Sequence, residues 1–195
     1  MLKKALLTTA AILMGSLLTM SADTANAADL ENTLLMDVSS GGTVTMELHP
    51  DVAPKHVERL KTLTREGFYD GIIFHRVIDG FMAQTGDPTG TGRGASELPD
   101  VPAEFNDKNF DRGTVGMARS ASPDSANSQF FICFTDCSFL NGQYTVFATV
   151  TDGMEHVDAI EKGEPPAEPD KIVSMKVAAD VAAPAEAEEA SEAAE

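Results

Sequence analysis

Residues 74–88 read FHRVIDGFMAQTGDP, an apolar run with a guanidinium, Arg76, near its start and an amide, Gln84, behind it. An arginine is always charged and presents its donors as a rigid fork. Apolar walls around such a fork strengthen its interaction with whatever group it meets. Other chemistries find no constellation. His49, His56, His75 and His156 stand at no metal-ligand spacing on one helix, and no HExxH is present. No G-x-S-x-G elbow offers a serine nucleophile. Gly90-Thr91-Gly92-Arg93-Gly94 has the glycines of a phosphate loop but not its Lys-Ser/Thr, and no helical pattern follows, so it reads as a turn. Cys133 and Cys137 have no His pair to complete a zinc site. Four residues of extended chain span ~13 Å, too far for a disulfide unless a turn intervenes, so one buried strand thiol and one loop thiol are expected. No metal and no cofactor is called for.

Strand periodicity gives Arg76 its company. If 72–77 is a strand, Phe74 and Arg76 share one face and His75 takes the other. Met82 and Gln84 share a face of the next run, with Phe81 at its entry. In QFFICF, Gln129, Phe131 and Cys133 share a face. Taken singly, a stripe of Phe is core and a lone Arg snorkels. Taken together, these residues make an apolar pocket with a fixed cation and two amides beside it.

The elements that must position this group are short. Residues 33–38 (TLLMDV) and 43–48 (TVTMEL) flank Ser-Ser-Gly-Gly, a hairpin signal. In HPDVAPKHVERLKTLTREG, Asp51 can cap, Pro54 suits a first turn and Gly67 stops the element. Val57, Leu60 and Leu63 or Thr64 fall on one face, which predicts an amphipathic helix. Apolar runs then alternate with glycine turns at 72–77, 81–85, 115–118, 129–134 and 145–150. A second helix is predicted near 154–161 and a last strand at 171–177. The fold class is mainly β, a closed antiparallel barrel with helices at its ends.

Length and charge bound the rest. The chain has 195 residues, enough for one domain with a real core. Its formal charge of −17, from 14 basic and 31 acidic residues, repels a phosphate backbone and excludes nucleic acid as a partner. Residues 1–27 run from Lys3 and Lys4 through an apolar stretch to Ala25-Asn26-Ala27, the layout of a secretory signal peptide. Thr8, Thr9, Gly15 and Ser16 make that stretch a poor membrane span. Cleavage after Ala27 is therefore expected, leaving a periplasmic or secreted protein with no stable membrane insertion. The domain is expected over 28–177. Residues 178–195 are Ala and Glu with little to bury, and are expected to be disordered.

The segments FHRVIDGFMAQTGDPTGTG, MARSASPDSANSQFFI and FLNGQYTVF, within a likeness running from about Thr33 to Val177, resemble the cyclophilin family of peptidyl-prolyl cis-trans isomerases. The resemblance implies an eight-stranded antiparallel barrel capped by two α-helices, with a proline site on its outer surface. It implies that Arg76 is the catalytic arginine with Gln84 beside it. Phe81, Met82, Phe131 and Leu140 would form the proline pocket, and Ala118, Arg119 and Gln129 would line the peptide groove. Arg119 stands where the family commonly has Asn, Phe139 where many eukaryotic members have Trp, and Tyr144 where they have His. The exchange at Arg119 implies retained activity with an altered preference for the residue before proline; those at Phe139 and Tyr144 resemble bacterial-type members and imply weaker cyclosporin binding with catalysis retained. The implied partners are proline-containing peptides and unfolded exported proteins, the implied state a monomer. A second reading keeps the barrel as a proline-segment-binding chaperone or assembly module with little turnover. The intact set of Arg76, Phe81, Met82, Gln84 and Phe131 favours the enzyme.

Overall fold

A computed structural model of the chain describes residue 27 and residues 29–182; the expected leader, apart from Ala27, lies outside them. The strands are β1 (Thr33–Val38), β2 (Gly42–Leu48), β3 (Arg76–Ile78), β4 (Met82–Thr85), β5 (Thr114–Met117), β6 (Phe130–Cys133), β7 (Val146–Asp152) and β8 (Ile172–Val177). Two α-helices join them, α1 (Pro54–Arg65) and α2 (Met154–Asp158). The period-two alternation works as expected in the first hairpin. Leu34, Met36 and Val38 of β1 and Val44, Met46 and Leu48 of β2 point into one core, and Val38 pairs with Gly42 across the turn.

All eight strands lie in one antiparallel sheet, in the order β3-β4-β6-β5-β7-β2-β1-β8. Its two edges would be open ladders were they not brought together. The segment just before β3 meets the start of β8: Phe74 N–H donates to the Asp170 carbonyl at 2.8 Å, and Ile172 N–H donates to the Ile72 carbonyl at 2.9 Å. This bridge, with Ile73 opposite Lys171, closes the barrel. It also explains a difference from the expected strand 72–77. The Ile72 carbonyl and the Phe74 amide are spent on the closure, and β3 begins only at Arg76. Phe74 therefore lies in the barrel core, fully buried, while Arg76 faces outward, so the two do not share a face.

The first helix starts at Pro54, but Asp51 does not cap it; the N-cap is Ala53, which makes no side-chain bond. The cap comes from a distant loop. The Glu104 carboxylate accepts from the Lys55 and His56 amides, each at 3.1 Å, and from His56 Nδ1 at 2.7 Å. Helix α1 buries Val57, Leu60 and Leu63 against the barrel. The second helix ends at Asp158 rather than 161, and the Glu161 amide turns instead to the Asp170 carboxylate.

A second apolar cluster lies apart from the main core: Met82, Phe110, Phe131, Cys133, Cys137, Leu140 and Val146. A turn through Thr135 and Asp136 brings Cys137 back beside this cluster, so both thiols are buried, and neither is in a disulfide. Burial pushes both thiols up, which keeps them protonated.

The chain does not become structureless at Ala178 as expected. Residues 178–182 are helical, Ala178 is buried, and Asp180 receives Arg65 Nε and Nη2, each at 3.0 Å. The same guanidinium holds Glu31 at 2.8 Å. A chain ended after Val177 should therefore melt lower than one ended after Ala182. About 1 kcal/mol of lost packing and ion pairing gives a shift of roughly 2–4 °C, measurable by calorimetry.

Candidate active site

Register builds the site. Residues directly opposite on neighbouring strands share a face. Arg76 of β3 lies opposite Gln84 of β4, Gln84 opposite Phe131 of β6, and Phe131 opposite Gly116 of β5. The row Arg76, Gln84, Phe131, Gly116 thus crosses the outer face of the wall. The neighbouring row, Val77, Ala83, Ile132 and Val115, faces the core. The missing side chain at Gly116 is needed. A Cβ there would stand 2.5 Å from the Phe110 ring and 2.6 Å from the Phe131 ring. Those rings stack with centroids 5.6 Å apart and fix the back of the site.

In front of them is a recess of about 150 Å³, lined by Arg76, Phe81, Met82, Gln84, Ala118, Arg119, Phe131, Leu140 and Tyr144. That is small beside the roughly 300 Å³ at which ligand pockets begin, and suits one small ring. Two expected site residues lie just outside. Gln129 lines an adjoining hollow of about 380 Å³ with Gln84, Ala118 and Arg119. Phe139 is 63% exposed and packs its ring 5.4 Å from Phe81 at the lip. A larger hollow of about 510 Å³, between α1 and residues 98–102, shares no residue with the recess. Its Arg59 donates to the Pro99 and Asn127 carbonyls. Among the described residues no cluster of His, Cys, Asp and Glu could hold a metal ion.

The amide and guanidinium groups of the recess each have a partner. Gln84 does not orient Arg76. Its amide donates to Gln129 Oε1 at 2.8 Å, and Gln129 Nε2 donates to the Gly94 carbonyl at 2.8 Å. Arg76 instead donates from Nε to Glu164 Oε2 at 2.8 Å, a contact no local pattern announces. Arg119 gives Nε and Nη2 to the Gln143 carbonyl and Nη1 to that of Ser120, and covers the Tyr144 ring at 4.5 Å. Tyr144 in turn stands edge-on to Phe131 at 5.8 Å.

Asp87, in the turn after β4, holds the loop that supplies Gly94. The residue is buried and accepts from the Thr89 amide and hydroxyl and from the Gly92 amide, at 2.7, 2.8 and 2.6 Å. Burial alone would raise its carboxyl, but these hydrogen bonds outweigh burial and pull it down to about 2. The glycine run is therefore a turn, as expected, wrapped around a carboxylate the sequence did not single out. His75, beneath Gly92, is buried with no partner on either ring nitrogen. Burial, aided by Arg76 and opposed by Asp87, lowers its pKa and keeps it neutral.

A family model described as cyclophilin type peptidyl-prolyl cis-trans isomerase/CLD matches residues 33–177. The chain is 53% identical over 173 residues to a Brucella suis protein named "Probable peptidyl-prolyl cis-trans isomerase", covering 80% of this chain and 88% of that one. It is 42% identical over 126 residues to a Helicobacter pylori peptidyl-prolyl cis-trans isomerase, covering 63% and 77%. Among solved structures it is similar to a cyclophilin of Hirschia baltica, with TM-score 0.71, 28% identity and coverage of 76% and 74%. A Cryptosporidium parvum cyclophilin-type isomerase, solved in the presence of the dipeptide Ala-Pro, aligns with TM-score 0.70 and 30% identity, covering 74% of this chain and 98% of that one.

Two outcomes are expected of this geometry. Gly116→Ala must displace Phe110 or Phe131, and should lower stability by about 1–3 kcal/mol in denaturant unfolding. Acid should act through Asp87. Its folded pKa lies below the ordinary 3.8, so its contribution is fully present above that value and is lost as pH falls through about 2. The difference is roughly 2 kcal/mol. Asp87→Asn should flatten the stability profile between pH 4 and 2, measured by unfolding at a series of pH values.

Proposed function

This chain belongs to the cyclophilin-type peptidyl-prolyl cis-trans isomerases, and on that premise we propose that Arg76 stabilises the twisted prolyl nitrogen of substrates that are exported proteins in the course of folding. The enzyme accelerates rotation about X-Pro peptide bonds. That bond turns slowly because amide resonance holds it planar, against a barrier of ~18–20 kcal/mol. At the twisted midpoint resonance is broken and the nitrogen regains its lone pair. A donor aimed there is stabilising in the transition state and nearly idle in the planar ground state, which is the condition for catalysis.

The observation that carries the reading is the placement of Arg76 at the edge of an apolar recess one ring in size, in the same cross-strand row as Phe131. The ring of the proline enters against Met82, Phe131 and Leu140. Arg76 then reaches the nitrogen from the side, and Gln84 and Ala118 lie where they can meet the backbone of the peptide. The reaction breaks no covalent bond and so needs no nucleophile. An acceleration of ~10⁵ asks for about 7 kcal/mol. One charge-assisted hydrogen bond supplies ~1.5–3 of that, so the grip of the recess on a partly rotated ring contributes the remainder.

The leader pattern of residues 1–27 supports export to the periplasm or outside the cell, where newly translocated chains fold. N-terminal analysis of the exported protein should find Ala28 first. For the arginine, a protease-coupled or exchange assay on an Ala-Pro peptide is decisive. Arg76→Ala should lose on the order of 10- to 100-fold in turnover with its melting temperature little changed, because the side chain is 40% exposed. Arg76→Lys should recover little, since a point charge lacks the fork. Undiminished turnover in a folded Arg76→Ala variant would overturn the assigned role.

A further inference from the structure

We infer that Glu164 is a positioning residue for the isomerase reaction: it fixes the Arg76 guanidinium through Nε and so leaves the two Nη groups as the donors for substrate. The inference rests on the role given to Arg76 above.

Three observations point the same way. The contact itself is short, 2.8 Å from Arg76 Nε to Glu164 Oε2. The backbone that carries the carboxylate is anchored to the very strand that carries the arginine. Val77 and Gly163 exchange both of their backbone hydrogen bonds, each at 2.8 Å, so Glu164 follows immediately on a two-bond bridge to the residue next to Arg76. The segment is pinned before and after that bridge as well. Lys162 covers the Phe134 ring at 4.4 Å and donates to the Ile160 carbonyl, and Asp170 holds both the Glu161 amide and Ser39. Finally, the amide that could have oriented Arg76 is engaged elsewhere, because Gln84 is turned to Gln129.

The physical consequence is specific. A free arginine side chain samples many rotamers, and a fork that must be collected into one geometry during the twist raises the barrier. Glu164 makes that selection beforehand. Since it binds the edge of the guanidinium at Nε, it does not occupy the Nη groups. The pair is half exposed, with side-chain exposures of 40% and 52%, so its effect on global stability is small. Its effect falls on the twisted state, where Arg76 acts, and not on ground-state binding, which the apolar recess provides. The signature of the role is therefore a fall in kcat with KM nearly constant.

The test is a double-mutant cycle on the full-length mature protein, with exchange NMR on an Ala-Pro peptide giving kcat and a titration giving affinity. Glu164→Ala should reduce kcat roughly three- to tenfold and leave peptide affinity within about twofold. Glu164→Gln, which keeps an acceptor for Nε, should recover most of the loss. In an Arg76→Ala background, Glu164→Ala should cost nothing further. An equal loss in both backgrounds would overturn the inference, because Glu164 would then act other than through Arg76. Unchanged or raised kcat in Glu164→Ala would also overturn it. A folded Arg76→Ala variant with full turnover would instead refute the role of Arg76 itself, and the two failures are told apart by that single variant.

Discussion

The structure depends on one constraint: strand β6 is apolar on both faces, and Met82 of β4 extends the outer one. Ala83, Phe130 and Ile132 fill the barrel, while Met82, Phe131 and Cys133 point away from it. An outward apolar face of this kind is a liability unless something covers it. Here the cover is Phe110 from one loop, with Cys137 and Leu140 from another and Val146 at the start of β7. The cover is nearly complete. What it leaves open is the recess, so the apolar walls proposed above to receive a prolyl ring are the uncovered remainder of a second core.

The cover must itself be held, and polar groups do that. The loop carrying Phe110 is tied at both ends. Near its start, Glu104 caps helix α1, and Asn106 donates to the Val146 carbonyl. At its end, the Phe110 amide donates to Asn141 Oδ1 and the Phe110 carbonyl accepts from Cys137. Burial lowers the pKa of His56 despite the Glu104 carboxylate beside it, and the carboxylate is itself lowered by its donors. The pair is thus a neutral imidazole donating from Nδ1 to an anion, which leaves Nε2 unpartnered in the interior. Helix, loop and recess become one mechanical unit through a single carboxylate.

What the sequence made legible follows from range. The β1–β2 hairpin, the apolar face of α1 and the outward set Met82, Phe131 and Cys133 are local periodicities, and periodicity is visible in one chain. Local sequence points to Asp51 as the cap of α1 because Glu104, the true acceptor, lies far along the chain and belongs to no motif. Strand β3 was drawn too long for the same reason. Residues 72–74 are extended, but their partners are at 170–172, and nothing local distinguishes a closing bridge from a hairpin ladder. The helical residues 178–182 have no signal in composition because alanine carries little weight there, yet Ala178 is buried and Asp180 has a waiting arginine. In the site, motif resemblance supplied the eleven lining and flanking residues, but not Glu164 or Asp87. Those two contact backbone and side chains rather than forming the recess, and only the fold reveals them.

The recess is also preorganised, and this bears most directly on how so bare a site can catalyse. Gln84 is held through Gln129 by the Gly94 carbonyl, and that carbonyl is held by a loop wrapped around Asp87. Arg119 is spent on two carbonyls and on the face of Tyr144, so its departure from the common asparagine fills space instead of presenting a mobile charge to the substrate. Phe139 extends the lip over Phe81 without a donor of its own. Arg76 enters the same scheme through Glu164. With its dipoles fixed before the peptide arrives, the site need not reorganise when the X-Pro bond twists, and water would have to. A reaction that makes and breaks no covalent bond has little else to gain from a protein, so fixed geometry around the guanidinium edge is what the role proposed for Arg76 requires.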